Sequence, residues 1–101
     1  MREGKGTVAA GSIVLPSGDR IPVGQRPITV GRMPDCTVPI DDANASRRHC
    51  EIKAVGDEFV VADLGSTNGT RVNGVRIDGE RVLADADIIS VGTTHLRFEA
   101  S

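Results

Sequence analysis

The sequence predicts an all-β fold, an antiparallel β-sandwich, and three observations lead there. Its β-branched runs are short and closely spaced, strong turn signals separate them, and no stretch of useful length places apolar residues at helical period. With 101 residues the chain is one domain, near the lower end of what can bury a core unaided. That core must be aliphatic, because 39% of the residues are hydrophobic while Phe59 and Phe98 are the only aromatics.

Residues 1–11 are small and polar and include three glycines. They read as a flexible N-terminal linker, or the cut edge of a piece of a longer protein, which leaves 12–101 as the domain. Ile13-Val14-Leu15 then forms a strand, Pro16-Ser17-Gly18-Asp19 turns, and Ile21 and Val23 alternate along the next strand. Ile28-Thr29-Val30 is another β-branched run, ended by Gly31 and soon by Pro34. Further on, Cys50, Ile52 and Ala54 face one way while His49, Glu51 and Lys53 face the other, the period of a half-buried strand. Gly56-Asp57 turns the chain into Phe59-Val60-Val61 as a hairpin. Asn68-Gly69 and Asn73-Gly74 are the strongest turn dipeptides, since both tolerate positive φ. Ile88-Ile89 and Val91, followed by Leu96-Arg97-Phe98, close the chain as a final strand pair.

Charge narrows the function. Basic and acidic residues number 12 and 14, for a formal charge of -2, so a general nucleic-acid binder with a basic surface and stacking aromatics is excluded. A dianionic ligand could bind only through a local cluster of positive charge. No hydrophobic run approaches a membrane-spanning or secretory segment, so no membrane insertion is expected. Cys36 and Cys50 are too few for a disulfide framework, and a reducing, cytoplasmic setting is the natural reading.

Three turn-like segments between strands carry the chemistry: Gly31-Arg32, Ser46-Arg47-Arg48-His49 and Ser66-Thr67-Asn68-Gly69. A phosphorylated threonine brings about -1.5 to -2 charges and strong acceptor oxygens. A fixed guanidinium meets two of those oxygens at once, and hydroxyl or backbone donors saturate the others. An asparagine amide, both donor and acceptor, suits the peptide backbone beside the phosphate. Loops at one end of a rigid sandwich are where such groups can be gathered.

With the flanks Asp63-Leu64, Gly65, Thr70-Arg71-Val72-Asn73-Gly74 and Asp87-Ile88-Ile89-Ser90-Val91-Gly92, these segments resemble the forkhead-associated (FHA) family in its bacterial, actinobacterial-like form. The resemblance runs strongly from about Ile28 to Phe98. It implies an eleven-stranded antiparallel β-sandwich whose end loops bind phosphothreonine peptides. By position it implies that Arg32 and Ser46 contact phosphate and that Arg47 is a further phosphate ligand. Thr67 would add a hydrogen bond near the phosphate, and Asn68 would hold the backbone just after the phosphothreonine. Gly31, His49 and Gly69 would shape the loops, while Thr70, Arg71 and Asn73 fall in a loop expected to set preference after the phosphothreonine. The implied partners are a phosphothreonine-containing protein or peptide and a Ser/Thr protein kinase or its substrate. No cofactor, metal or enzymatic activity is expected.

Plainer readings compete residue by residue. If the segment is extended, only one of Arg47 and Arg48 can face a shared site; position favours Arg47 and leaves Arg48 as a solvated charge. Ser46 could simply cap its own turn. Ser46, His49 and Asp63 suggest a hydrolase triad, but serine and histidine are only three apart and no Gly-x-Ser-x-Gly elbow exists. Cys36, His49, Cys50 and His95 lack zinc-ligand spacing, and Cys50 falls on the apolar strand face as a small core residue. Asp35, Asp41 and Asp42 either orient the arginines or serve turns and solubility. The alternative to a phosphothreonine reader is a phosphate-independent scaffold that binds through a face of the sandwich.

Overall fold

The structure, a computed structural model, describes residues 10–100. Of the linker expected over 1–11, residues 1–9 lie outside the described residues, and Gly11 is the first residue of a strand. Eleven strands follow in order: β1 Gly11–Val14, β2 Arg20–Val23, β3 Ile28–Gly31, β4 Val38–Pro39, β5 Cys50–Val55, β6 Glu58–Asp63, β7 Thr70–Val72, β8 Val75–Arg76, β9 Glu80–Leu83, β10 Ile88–Val91 and β11 Thr94–Ala100. They build two sheets, one of six strands in the order β2-β1-β11-β10-β7-β8 and one of five in the order β4-β3-β5-β6-β9. The expected eleven-stranded sandwich is therefore the fold, and no helix interrupts it among the described residues.

One pairing departs from the antiparallel expectation. Val38 lies beside Val30 in parallel, because segment 32–37 doubles back before β4 re-enters the sheet. Ile40 N–H donates to the Gly31 carbonyl at 2.7 Å and holds that return.

Alternation of side chains does the layering. In the five-stranded sheet Ile28, Ile52 and Val61 stand in one cross-strand row facing the core, and Ile13, Leu96, Phe98, Ile89 and Val72 supply the facing layer. Phe59 and Phe98 join the layers with ring centroids 5.0 Å apart and planes tilted by 51°. Both aromatics are thus spent on one contact between the sheets. A Cβ at Gly11 would come within 2.9 Å of the Phe59 ring, so this glycine is a packing requirement. The Asn73-Gly74 hairpin forms as read, with φ of 54° and 84°. Asn68-Gly69 instead belongs to the longer β6–β7 loop. His49 does not share the exposed face of Glu51 and Lys53; it precedes β5 and is fully buried.

Because Phe98 is fully buried at the junction of the two sheets, Phe98→Ala should destabilise the fold by about 3–5 kcal/mol. A urea titration will read this as a lower midpoint with the slope unchanged.

Candidate functional site

The chain leaves β3, enters β5 and leaves β6 at the same end of the sandwich, and the loops there enclose a cleft of about 480 Å³. Arg32, Asn44, Ser46, Arg47, Thr67 and Asn68 line it, so all five residues expected to bind ligand meet in one place. Backbone contacts bring the first two loops together. Arg32 N–H donates to the Ser46 carbonyl at 3.1 Å and Met33 N–H to the Arg47 carbonyl at 3.2 Å. Any side chain at Gly31 would run into that Arg47 carbonyl, which is why a glycine precedes the arginine.

Side chains then fix the rim. Arg32 Nε donates to the Ala45 carbonyl at 2.6 Å, while the arginine's terminal nitrogens have no partner among the described residues. Ser46 Oγ accepts from Thr67 N–H at 3.0 Å, and Asn68 Nδ2 donates to the Asn44 carbonyl at 2.9 Å. The paired arginines differ in their partners, although both face the cleft and alternation does not separate them. Arg48 also borders the cleft, but its guanidinium binds Asp35 at 2.8 Å, whereas Arg47 has no carboxylate partner among the described residues.

His49 holds the second and third loops together from below. Its Nδ1 accepts from Ser46 N–H at 3.0 Å, so the ring proton sits on Nε2 and is donated to the Gly69 carbonyl at 2.9 Å. The contact with Ser46 is to the backbone and not to the hydroxyl, so the two are not a nucleophile and its base. Burial, and then the Asp63 charge, push the Cys50 thiol up to about 12, which leaves it inert. Among the described residues no group of three His, Cys, Asp or Glu side chains could hold a metal.

Three residues important to this geometry were not among the expected site residues. Asp63 organises the β6–β7 loop: Oδ2 accepts from the N–H groups of Gly65 and Ser66, both at 3.0 Å, and Oδ1 from the hydroxyls of Ser66 and Thr70 at 2.5 and 2.7 Å. Its short spacing to Gly65 and Ser66, typical of a side chain capping its own turn, was a readable signal. Asp42 was expected to orient arginines or serve a turn. It meets no arginine among the described residues; it serves its own turn by accepting from the N–H of Asn44, and it also reaches inward to accept from Thr93 and Thr94 across the β10–β11 turn. Those bonds, with the Asn44 N–H foremost, hold its carboxyl well below the usual range. Asn44, the third, contributes its carbonyl to Asn68, and no local pattern announces either long-range bond.

The expected preference loop is corrected in part. Thr70 is fully buried with its hydroxyl on Asp63, so it cannot meet a ligand. Asn73 is occupied at both ends of its amide, by Asp87 and by the N–H of Ile88, each at 2.9 Å. Arg71 alone of the three is exposed with its side chain unengaged among the described residues.

A rigid sandwich whose end loops gather an anchored guanidinium, an unpaired arginine, hydroxyls and an asparagine amide defines a recognition module for an anionic ligand presented on a backbone. The chain belongs to the FHA domain family, whose model matches residues 28–92. FHA domains are phosphothreonine-peptide recognition modules. The chain is similar to the glycogen accumulation regulator GarA of Mycolicibacterium smegmatis, with 42% identity over 82 residues, covering 81% of this chain and 51% of the relative. It is also similar to the oxoglutarate dehydrogenase inhibitor of Corynebacterium jeikeium, 39% identical over 82 residues, covering 81% and 56%. The chain thus spans about half the length of the curated relatives it matches. Among solved structures, an FHA domain from work on phosphothreonine-dependent FHA interactions superposes with a TM-score of 0.82 at 34% identity, covering 89% of this chain and 95% of that one. The FhaA FHA domain complexed with the intracellular domain of Rv3910 gives 0.81 at 34% identity, covering 88% and 99%.

Burial works to raise the Asp63 pKa, but the hydroxyls of Ser66 and Thr70 and the N–H groups of Ser66 and Gly65 outweigh it and hold the carboxyl below its ordinary 3.8. A lowered folded-state pKa stabilises fully above the unfolded value and less as pH falls through the folded one. Asp63→Asn should therefore start less stable at neutral pH and lose less stability than the wild type on acidification from about pH 5 to about pH 3. Thermal melts across that range check it; parallel curves for the two proteins would contradict it.

Proposed function

We propose that the cleft holds a phosphothreonine in a partner polypeptide and that the chain is the recognition part of a signalling protein acting downstream of a Ser/Thr kinase in the cytoplasm. It performs no chemistry on what it binds. The observation that carries this reading is Arg32. Its Nε is committed to the Ala45 carbonyl, which orders the guanidinium while leaving the terminal N–H donors beside Ser46 and Arg47. A planar donor fork already held in place loses little freedom on meeting phosphate oxygens.

The other roles follow from unused hydrogen-bonding capacity. Ser46 Oγ accepts from Thr67 N–H, which leaves its own proton to donate to a phosphate oxygen. Arg47 adds a second positive charge. Thr67 lines the same cleft, and its role is a hydrogen bond near the phosphate. Asn68 spends one amide hydrogen on Asn44, keeping the other and its oxygen for the backbone after the phosphothreonine. Gly31, His49 and Gly69 shape the loops without touching ligand. Family membership and the phosphothreonine-dependent relative support the reading, and no helix among the described residues is long and apolar enough to cross a membrane.

Binding should require the phosphate and lie near micromolar, about -8 kcal/mol. Isothermal titration with matched peptides tests this, and equal affinity for the unphosphorylated peptide would favour the scaffold alternative. Arg32→Ala should lose at least about 1.5–3 kcal/mol of affinity with an unchanged NMR fingerprint, as expected for a lost charge-assisted contact.

The two neighbouring arginines should behave differently. Arg47→Ala should weaken phosphopeptide binding far more than Arg48→Ala, whose guanidinium already faces Asp35. Titrations of both variants at low and high salt check the order, and a larger Arg48 effect at high salt would reverse the assignment.

A further inference from the structure

We propose that the outer face of the six-stranded sheet, starting at Arg76 and Arg71 beside the cleft, binds acidic side chains of the same partner polypeptide, from the fourth residue after its phosphothreonine onward. The proposal rests on the phosphothreonine reading and extends it to a second site.

Strand register places the charges. Arg76, Arg71, Ser90 and His95 form one row across β8, β7, β10 and β11, pointing away from the core. The adjacent row on the same face runs Ile88, Arg97, Val14 and Arg20. Glu99 on that face is shared by Arg20 and Arg97. Arg71 and Arg76, by contrast, stand directly opposite each other, and neither pairs with a carboxylate among the described residues. Like charges facing across a strand pair destabilise it. An acidic ligand would relieve that repulsion.

The rest of the surface sharpens the contrast. On the outer face of the five-stranded sheet, register places Glu51, Glu58 and Glu80 with Lys53. The formal charge of -2 therefore conceals one basic and one acidic face.

The basic face is continuous with the cleft. A Cβ at Gly69 would come within 2.5 Å of Arg76 Nε, so the arginine side chain lies against the residue that follows Asn68. Since Asn68 is read as holding the backbone after the phosphothreonine, a ligand chain leaving that point passes Arg76 first. Asn68 to Arg71 is roughly 10 Å of extended chain, and the four-strand row is roughly 14 Å wide. Arg76 lies at the near end of the row, and a chain extended from the residue held at Asn68 draws level with Arg71 about three residues later.

Fluorescence anisotropy can test this with peptides sharing a phosphothreonine core through the third following residue, then carrying either a short glutamate-rich tail or an all-serine tail. The acidic tail should tighten binding to the wild type by roughly tenfold at low salt, several exposed ion pairs acting together. High salt should erase the gain. Arg71→Glu and Arg76→Glu should each remove most of it. The serine-tailed peptide should still bind Arg76→Glu within about twofold of the wild type, showing that the cleft remains formed. Equal affinity of the two tails for the wild type would overturn the proposal, as would a gain that survives both charge reversals. An equal gain from a glutamate tract placed before the phosphothreonine would overturn it too. If the serine-tailed phosphopeptide fails to bind the wild type at all, the phosphothreonine reading itself has failed, a result distinct from equal tails.

Discussion

The site depends on one buried imidazole. His49 accepts from the backbone of Ser46 in its own loop and donates to the carbonyl of Gly69, 20 residues further along the chain. The bond to Gly69 is buried and the bond from Ser46 partly so, and removing the ring would leave the Gly69 carbonyl unsatisfied away from water. Above this clamp sit the Ser46 hydroxyl, Thr67 and Asn68, each oriented by a bond into a neighbouring loop. A histidine beside a serine suggests catalysis in a bare sequence. Here its two nitrogens are both consumed in holding a surface still.

Preorganisation explains how so small a cleft can select a ligand. Asp63 ties four donors of the β6–β7 loop to one carboxylate, and Asp42 ties the β4–β5 loop to the β10–β11 turn. The loops therefore have fewer conformations to lose when a ligand arrives. Asp42 lies close to Arg47 in sequence, yet neither aspartate pairs with Arg32 or Arg47. Acidic charge is spent on loop order, and basic charge is left for the ligand. That division lets a chain of net charge -2 offer an anion site.

Glycines mark where backbones must approach. Gly31 lies against the Arg47 carbonyl, and Gly69 lies beneath the Arg76 side chain with φ of 81°. The first lets the arginine loop touch the serine loop. The second joins the cleft to the basic sheet face, so the two positively charged regions are neighbours in space. Arg71 and Arg76 face each other in the structure because the Asn73-Gly74 turn sets the register of β7 against β8.

Much was determined by the amino-acid sequence alone. Period-two apolar runs and turn dipeptides specified the strands, since alternation and positive φ are local properties of a few adjacent residues. The motif segments around Arg32, Ser46 and Asn68 identified the cleft residues through the family they resemble. The parallel β3–β4 pair, the inward turn of Asp42, the burial of Thr70 and the Asn44 contact to Asn68 were decided only by tertiary structure. Each depends on what another strand or loop brings alongside. Asp42 and Thr93 are 51 positions apart, and nothing within a local window distinguishes an aspartate that will meet two threonines from one that will meet water. The charge on each sheet face has the same origin, because an arginine's neighbours across a sheet are chosen by register and not by sequence proximity.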